Sequence, residues 1–156
     1  IAKFYLEFTV EESCGKCTPC RVGNKRLHEM LTKISEGKGT MEDLDAMREL
    51  AQTIKDTSLC GLGQTSPNPV LSTLDNFYDE YVAHVTEQRC PAHQCRDLTV
   101  YYINPKKCTG CTLCAHVCPV HAIVGERKAT HIIDPNICIR CGSCLEKCRF
   151  GAIYVY

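Results

Sequence analysis

No sign of charge predominates: eighteen Lys and Arg are matched by eighteen Asp and Glu, for a net charge of zero. That balance removes the general electrostatic pull toward nucleic acid. No uninterrupted apolar run approaches the roughly 20 residues that a bilayer demands, so no membrane span is expected. The opening stretch IAKFYLEF has no basic segment, apolar run and cleavage site of a secretory signal, which argues against an oxidising compartment and a disulfide scaffold. A soluble, reduced, cytoplasmic setting is the expectation. No glycine-rich strand-to-helix turn for a flavin or nicotinamide is present, because Gly37-Lys38-Gly39 and Gly61-Leu62-Gly63 are too short and sit between helical stretches. No Ser/His/Asp arrangement can be argued from spacing, and no catalytic site is predicted in these residues.

Cysteine is abundant, with fourteen in 156 residues. Twelve fall into three sets of four. One repeat reads Cys108-x2-Cys111-x2-Cys114-x3-Cys118-Pro119, and another, thirty residues on, reads Cys138-x2-Cys141-x2-Cys144-x3-Cys148. Thiolates are soft donors suited to iron–sulfur clusters or zinc rather than to hard cations. In this run three cysteines wrap one cluster and the fourth, expected to start a helix, ligates the other cluster of a two-cluster ferredoxin. One [4Fe–4S] cluster would therefore take Cys108, Cys111, Cys114 and Cys148, and the next Cys138, Cys141, Cys144 and Cys118. The remaining set is Cys14-x2-Cys17-x2-Cys20 with Cys60 downstream; its spacing alone would also allow four-thiolate zinc.

Apolar residues before residue 88 recur at helical intervals: Leu27, Met30, Leu31 and Ile34; then Leu44, Met47, Leu50, Ala51 and Ile54; then Val70 to Val85 after Pro67 and Pro69. With an opening helix carrying Phe4, Tyr5 and Phe8, these predict a four-helix bundle over 1–88. The set of Cys14, Cys17, Cys20 and Cys60 is expected on loops, with Gly15, Gly61 and Gly63 allowing close approach to a cluster. A linker is expected over 89–97. Beyond it, Val100–Ile103, His121–Val124, His131–Asp134 and Ile153–Tyr156 are short β-prone runs, predicting two antiparallel hairpins around two clusters over 98–156. Ile123, Ile153, Val117 and Ile137 are expected to shield the clusters, and Tyr101, Tyr102, Tyr154 and Tyr156 to pack the strands. Arg149 stands where the first repeat has Pro119, so the two clusters are expected to differ in potential.

The segment Glu12-Ser13-Cys14-Gly15-Lys16-Cys17-Thr18-Pro19-Cys20-Arg21, followed by Ser58-Leu59-Cys60-Gly61-Leu62-Gly63, resembles the iron–sulfur domain at the C-terminal end of the flavoprotein subunit of NADH:quinone oxidoreductase and its hydrogenase relatives. Residues 98–156 resemble a bacterial two-cluster ferredoxin. That order of domains is similar to the flavoprotein subunit of electron-bifurcating [FeFe] hydrogenases and other NAD(P)-linked hydrogenases. The resemblance implies a [4Fe–4S] cluster on Cys14, Cys17, Cys20 and Cys60 that exchanges electrons with FMN. It places FMN and NAD(P) in an upstream domain of the same polypeptide, and implies hydrogenase and small iron–sulfur partner subunits in an anaerobic bacterium. The lack of an initiator methionine agrees with the expectation of a piece of a longer chain.

Cys90 and Cys95 remain. With His84 and His93 they could form a tetrahedral Zn²⁺ site, whose expected role is mechanical, pinning the linker; two thiols and a helix-end histidine are the plainer alternative. His28, His116, His121 and His131 are expected as surface or helix-face residues, and Lys16 and Arg21 as surface charges. Three functions compete: an electron relay inside an NAD(P)H-linked complex, which is favoured; an autonomous ferredoxin-like carrier; and a catalytic iron–sulfur enzyme, which would need a set short of its fourth thiol. An NADH:quinone oxidoreductase or NAD-dependent formate dehydrogenase could house the same relay.

Overall fold

The computed structural model describes residues 1–156, which divide into two compact units, Ile1–Pro91 and Ala92–Tyr156.

The first unit is helical. Helix α1 spans Ala2–Glu11, a one-turn π-helix covers Pro19–Gly23 and runs directly into α2 (Asn24–Ser35), and α3 spans Met41–Thr57. The short α4 (Gly61–Thr65), then α5 (Asn68–Asn76) and α6 (Tyr78–Thr86), complete it. Helix α3 starts where it does because Thr40 and Asp43 form a reciprocal capping box: the Asp43 amide donates to Thr40 Oγ1 at 3.3 Å and the Thr40 amide to Asp43 Oδ2 at 2.7 Å. The apolar stripes meet as their periodicity requires. Leu27, Leu31 and Ile34 of α2, Leu44, Met47, Ala51 and Ile54 of α3, and Val70 and Leu74 of α5 form one buried core with Leu6. Gly23 lets the π-helix lie against α3, because a Cβ there would sit 2.6 Å from Ile54 Cγ1.

Two features depart from the predicted bundle of four. Residues 61–65 form the extra short helix α4, and the stretch from Val70 to Val85 is broken at Phe77, whose backbone is non-helical (φ −133°, ψ 35°). No Gly or Pro marks the break. In one unbroken helix, residues eight apart lie about 12 Å apart along the axis; the break lets the Thr73 and Tyr81 hydroxyls hydrogen-bond at 2.8 Å.

The second unit carries two two-stranded antiparallel sheets and two short helices. A 3₁₀ turn, Arg96–Leu98, precedes β1 (Tyr101–Ile103), then α7 (Leu113–Val117), β2 (Ile123–Val124), β3 (Ile132–Ile133), α8 (Ser143–Lys147) and β4 (Ile153–Val155). Strands β2 and β3 form a sequential hairpin, Ile123 opposite Ile133. The second expected hairpin is not one: β1 pairs with β4, so the first and last strands meet, with Tyr101 opposite Val155. Tyr102 and Tyr154, directly opposed there, stack with ring centroids 5.5 Å apart, the expected strand packing. Ile103, Ala122, Ile123, Ile133, Ala152 and Ile153 form a thin core together with buried cysteines. Ile137 is not among the shielding residues; it is half exposed, because it lies in the cysteine loop rather than in a strand.

Candidate metal centres

In the first unit the cysteines gather where the π-helix meets α4. Cys14 and Cys17 lie in the loop after α1, Cys20 lies inside the π-helix, and Cys60 is the N-cap of α4. Cys20 therefore sits in a helical turn rather than on the expected loop. A π-turn widens the helix locally, a distortion common at functional sites. Main-chain amides of Leu59 and Cys20 hold the Cys17 thiol below its usual pKa, so the residue before Cys60 and the π-helix both offer donors to a thiolate at Cys17. A Cβ on Gly63 would meet Cys20 Cβ at 3.1 Å, which brings α4 hard against the π-helix. Gly15, at φ +74°, turns the loop between Cys14 and Cys17.

In the second unit, Cys108, Cys111, Cys114 and Cys148 line one small cavity, and Cys138, Cys141, Cys144 and Cys118 line another. Each cavity thus gathers three cysteines of one repeat and the fourth of the other. Cys114 lies within α7 and Cys144 within α8, while Cys118 and Cys148 cap the C-terminal ends of those helices instead of starting one. The reason is local: the five-residue helices end at the cysteine, and the backbone then turns extended (ψ 113° and 95°).

The helix thiol of each cavity, Cys114 in one and Cys144 in the other, is buried. Desolvation pushes the Cys114 thiol up and the Cys144 thiol up to about 11, whereas the Ser143 hydroxyl and amide lower exposed Cys141. Main-chain amides point at sulfur throughout: Ala122 to Cys118 at 3.2 Å, Ala152 to Cys148 at 3.3 Å and Arg140 to Cys138 at 3.4 Å. Soft thiols converging in fours, with amides aimed at the sulfurs, suit an iron–sulfur cluster.

The segment from His84 to Cys95 brings three of its four candidate ligands together. One ligand atom each of His84, Cys90 and Cys95 lie within 4.8 Å of one another. His84 Nδ1 donates to the Glu80 carbonyl at 2.6 Å, so a metal would be met through Nε2, as such second-partner carbonyls commonly arrange. His93 is not in the group. Its backbone is left-handed (φ +51°) and its side chain is exposed.

Several residues beside the thiols were not singled out by spacing. Asn24, fully buried, donates from Nδ2 to Cys20 Sγ at 3.5 Å and accepts from Ser66 Oγ at 2.8 Å. His131, expected at the surface, is 1% exposed and lines the cavity of Cys108, while burial and the thiols of Cys144, Cys141 and Cys138 push the Tyr101 hydroxyl up beside the other cavity. The repeat holds a signal for both, since Tyr101 and His131 each stand seven residues before a first cysteine.

Two units built around fourfold cysteine sets define an iron–sulfur protein of the [4Fe–4S] type. Residues 1–84 match the NADH-ubiquinone oxidoreductase-F iron-sulfur binding region, and residues 107–153 match the 4Fe-4S dicluster domain. The chain belongs to the first of these families and carries the second domain behind it. It is 58% identical over 153 residues, 98% of its length, to the NADP-reducing hydrogenase subunit HndC of Solidesulfovibrio fructosivorans. Over 87 residues it is 45% identical to an NADH-quinone oxidoreductase subunit of Streptomyces coelicolor, and over 81 residues 46% identical to the NAD-reducing hydrogenase HoxS subunit alpha of Cupriavidus necator, or 56% and 52% of the chain. It spans 31%, 19% and 14% of those three proteins. No helix is long and apolar enough to cross a membrane.

Proposed function

We propose that this chain relays single electrons through three [4Fe–4S] clusters, between an FMN site in an upstream domain and the partner redox subunits of a cytoplasmic NAD(P)-linked, electron-bifurcating hydrogenase. The observation that carries the reading is the convergence of the second unit's eight cysteines in two fours, joined to a 58% identity that runs through both units to a hydrogenase subunit. Each cluster, when bound, accepts and returns one electron at a time. The chain's own residues supply position and environment: Cys14, Cys17, Cys20 and Cys60 hold the first; Cys108, Cys111, Cys114 and Cys148 the second; Cys138, Cys141, Cys144 and Cys118 the third. Amides aimed at the sulfurs favour the more negative, reduced state, and apolar side chains such as Ile123 and Ile153 limit water. Hydrogen-activating and small iron–sulfur subunits are the partners this role requires. Zn²⁺ is proposed on His84, Cys90 and Cys95, with a fourth position for His93 or water.

Anaerobic reconstitution of the polypeptide tests this directly: about twelve iron and about twelve acid-labile sulfide per chain are expected. A preparation that takes up zinc alone, with no iron and no sulfide, would end the electron-transfer reading.

A further inference from the structure

The sulfurs of the two units meet different kinds of donor. In the second unit the contacts are chiefly main-chain amides, with the Ser143 hydroxyl beside exposed Cys141 at 3.4 Å. In the first unit, Cys20 is buried and two side chains converge on its sulfur: Ser13 Oγ at 3.4 Å and Asn24 Nδ2 at 3.5 Å. Asn24 opens α2, one turn beyond Cys20, so both project from the same face of the π-helix and its continuation.

A fully buried asparagine must have its amide paired on both sides. Its oxygen is paired across 42 residues of chain by Ser66 Oγ, itself 4% exposed, at 2.8 Å; the same hydroxyl also lies 3.0 Å from the Gly63 carbonyl. A cysteine that ligates iron is a thiolate and accepts only, so the NH₂ end of Asn24 must face it. Ser58 adds a further polar group to this wall. Its Oγ is buried with no partner and lies 2.5 Å from the point where a Cβ on Gly63 would stand, a point 3.1 Å from Cys20 Cβ.

We propose that Asn24 is a potential-setting residue of the first unit: its side-chain amide donates to the Cys20 sulfur and raises the reduction potential of the cluster there, with Ser66 as the residue that positions it. The physical cause is the added negative charge that a cluster carries when reduced. A donor on a ligating sulfur is worth more after reduction than before, and more in a buried site than in water. The relay thereby gains a cluster that takes up electrons more readily than its thiolates and main chain alone would allow. The inference rests on the reading that Cys14, Cys17, Cys20 and Cys60 hold a cluster.

The test is an electrochemical titration of anaerobically reconstituted protein, following the EPR signal of each reduced cluster; the signal absent from Cys60→Ser identifies that of the first unit. In Asn24→Leu the oxidised-to-reduced ratio of this cluster at the wild-type midpoint is expected to rise about tenfold, about 59 mV for a one-electron couple, with the other two signals unmoved. Should leucine cost this site its iron, Ser66→Ala decides, since it leaves Asn24 in place without its anchor: a shift in the same direction, at least about twofold in the ratio, is expected. In protein carrying ¹⁵N-amide asparagine, pulsed EPR should detect a nitrogen coupling to the reduced cluster that Asn24→Leu lacks, a signature a purely structural role would not produce. Full iron content with an unmoved midpoint and no asparagine coupling overturns this inference while leaving the electron relay intact. A wild-type protein with no iron on these four cysteines overturns both.

Discussion

Gly110 and Arg140 occupy the same place in the two repeats, two residues after the first cysteine, and both have left-handed backbone, φ +67° and +57°. At Gly110 the turn between β2 and β3 closes over the position: Lys128 N donates to the Gly110 carbonyl at 3.0 Å, and a Cβ would come within 2.5 Å of the Ala129 main chain. The corresponding connection does not exist for Arg140, because the other sheet pairs the first and last strands, so a side chain is tolerated there at the cost of left-handed strain. Opposite outcomes follow. Gly110→Ala should destabilise the second unit by about 2 kcal/mol or more, combining strain with a main-chain clash. Arg140→Gly should stabilise it by up to about 1 kcal/mol, less what the exposed Arg140–Asp97 pair at 3.3 Å contributes. Thermal midpoints of the cluster-loaded proteins check both signs. At this scale the grouping of the second unit's cysteines around two cavities was legible, because the repeat's spacing carries it. Asn24, Ser58 and His131 were not, because a buried polar residue acquires its role only from neighbours distant in the chain, as Ser66 shows for Asn24.

Helices α2 and α3 were legible because each buries one stripe and a recognisable break, the Gly37–Thr40 turn, separates the end of one from the start of the other. The break at Phe77 was hidden because the apolar spacing runs unbroken through it, and the decisive contact, Thr73 to Tyr81, is between hydroxyls. The start of α3 yields a pH prediction. Lys33, within 2.6 Å, and the Thr40 cap hold the Asp43 carboxyl below its ordinary 3.8. A depressed carboxylate contributes stability that is present above the unfolded-state pKa and is lost as pH falls through the folded-state value. Asp43→Asn should therefore lower stability by about 1 kcal/mol at neutral pH, the usual worth of a helix N-cap interaction. The difference from wild type should close as pH drops below 3.8. Thermal melts followed by circular dichroism at several pH values read it.

For the whole molecule, the cysteine sets of the two units share no residue, so iron loading should be separable. Cys60→Ser is expected to lower iron from about twelve to about eight per chain while the ferredoxin-type EPR signals persist; loss of all iron together would contradict independent assembly. The proposed zinc is expected to separate in the same way. Cys90→Ser should abolish zinc in elemental analysis and leave iron unchanged, because the thiols near His84 are not shared with any fourfold set. The sequence changes period near residue 88, where helical stripes give way to short β-prone runs; the compact units divide after Pro91. Which strands would pair was not readable, because an internal repeat is compatible with two hairpins or with one hairpin and a closing pair.

That closing pair has a bearing on biosynthesis. Tyr101 finds its partner in Val155, and the Val100 and Tyr156 main chains exchange hydrogen bonds at 2.9 Å beyond it. A ribosome must therefore release almost the entire second unit before its first strand has anything to pair with. Cluster insertion into this unit is therefore expected only once its last strand has emerged, with the thiols waiting unligated until then.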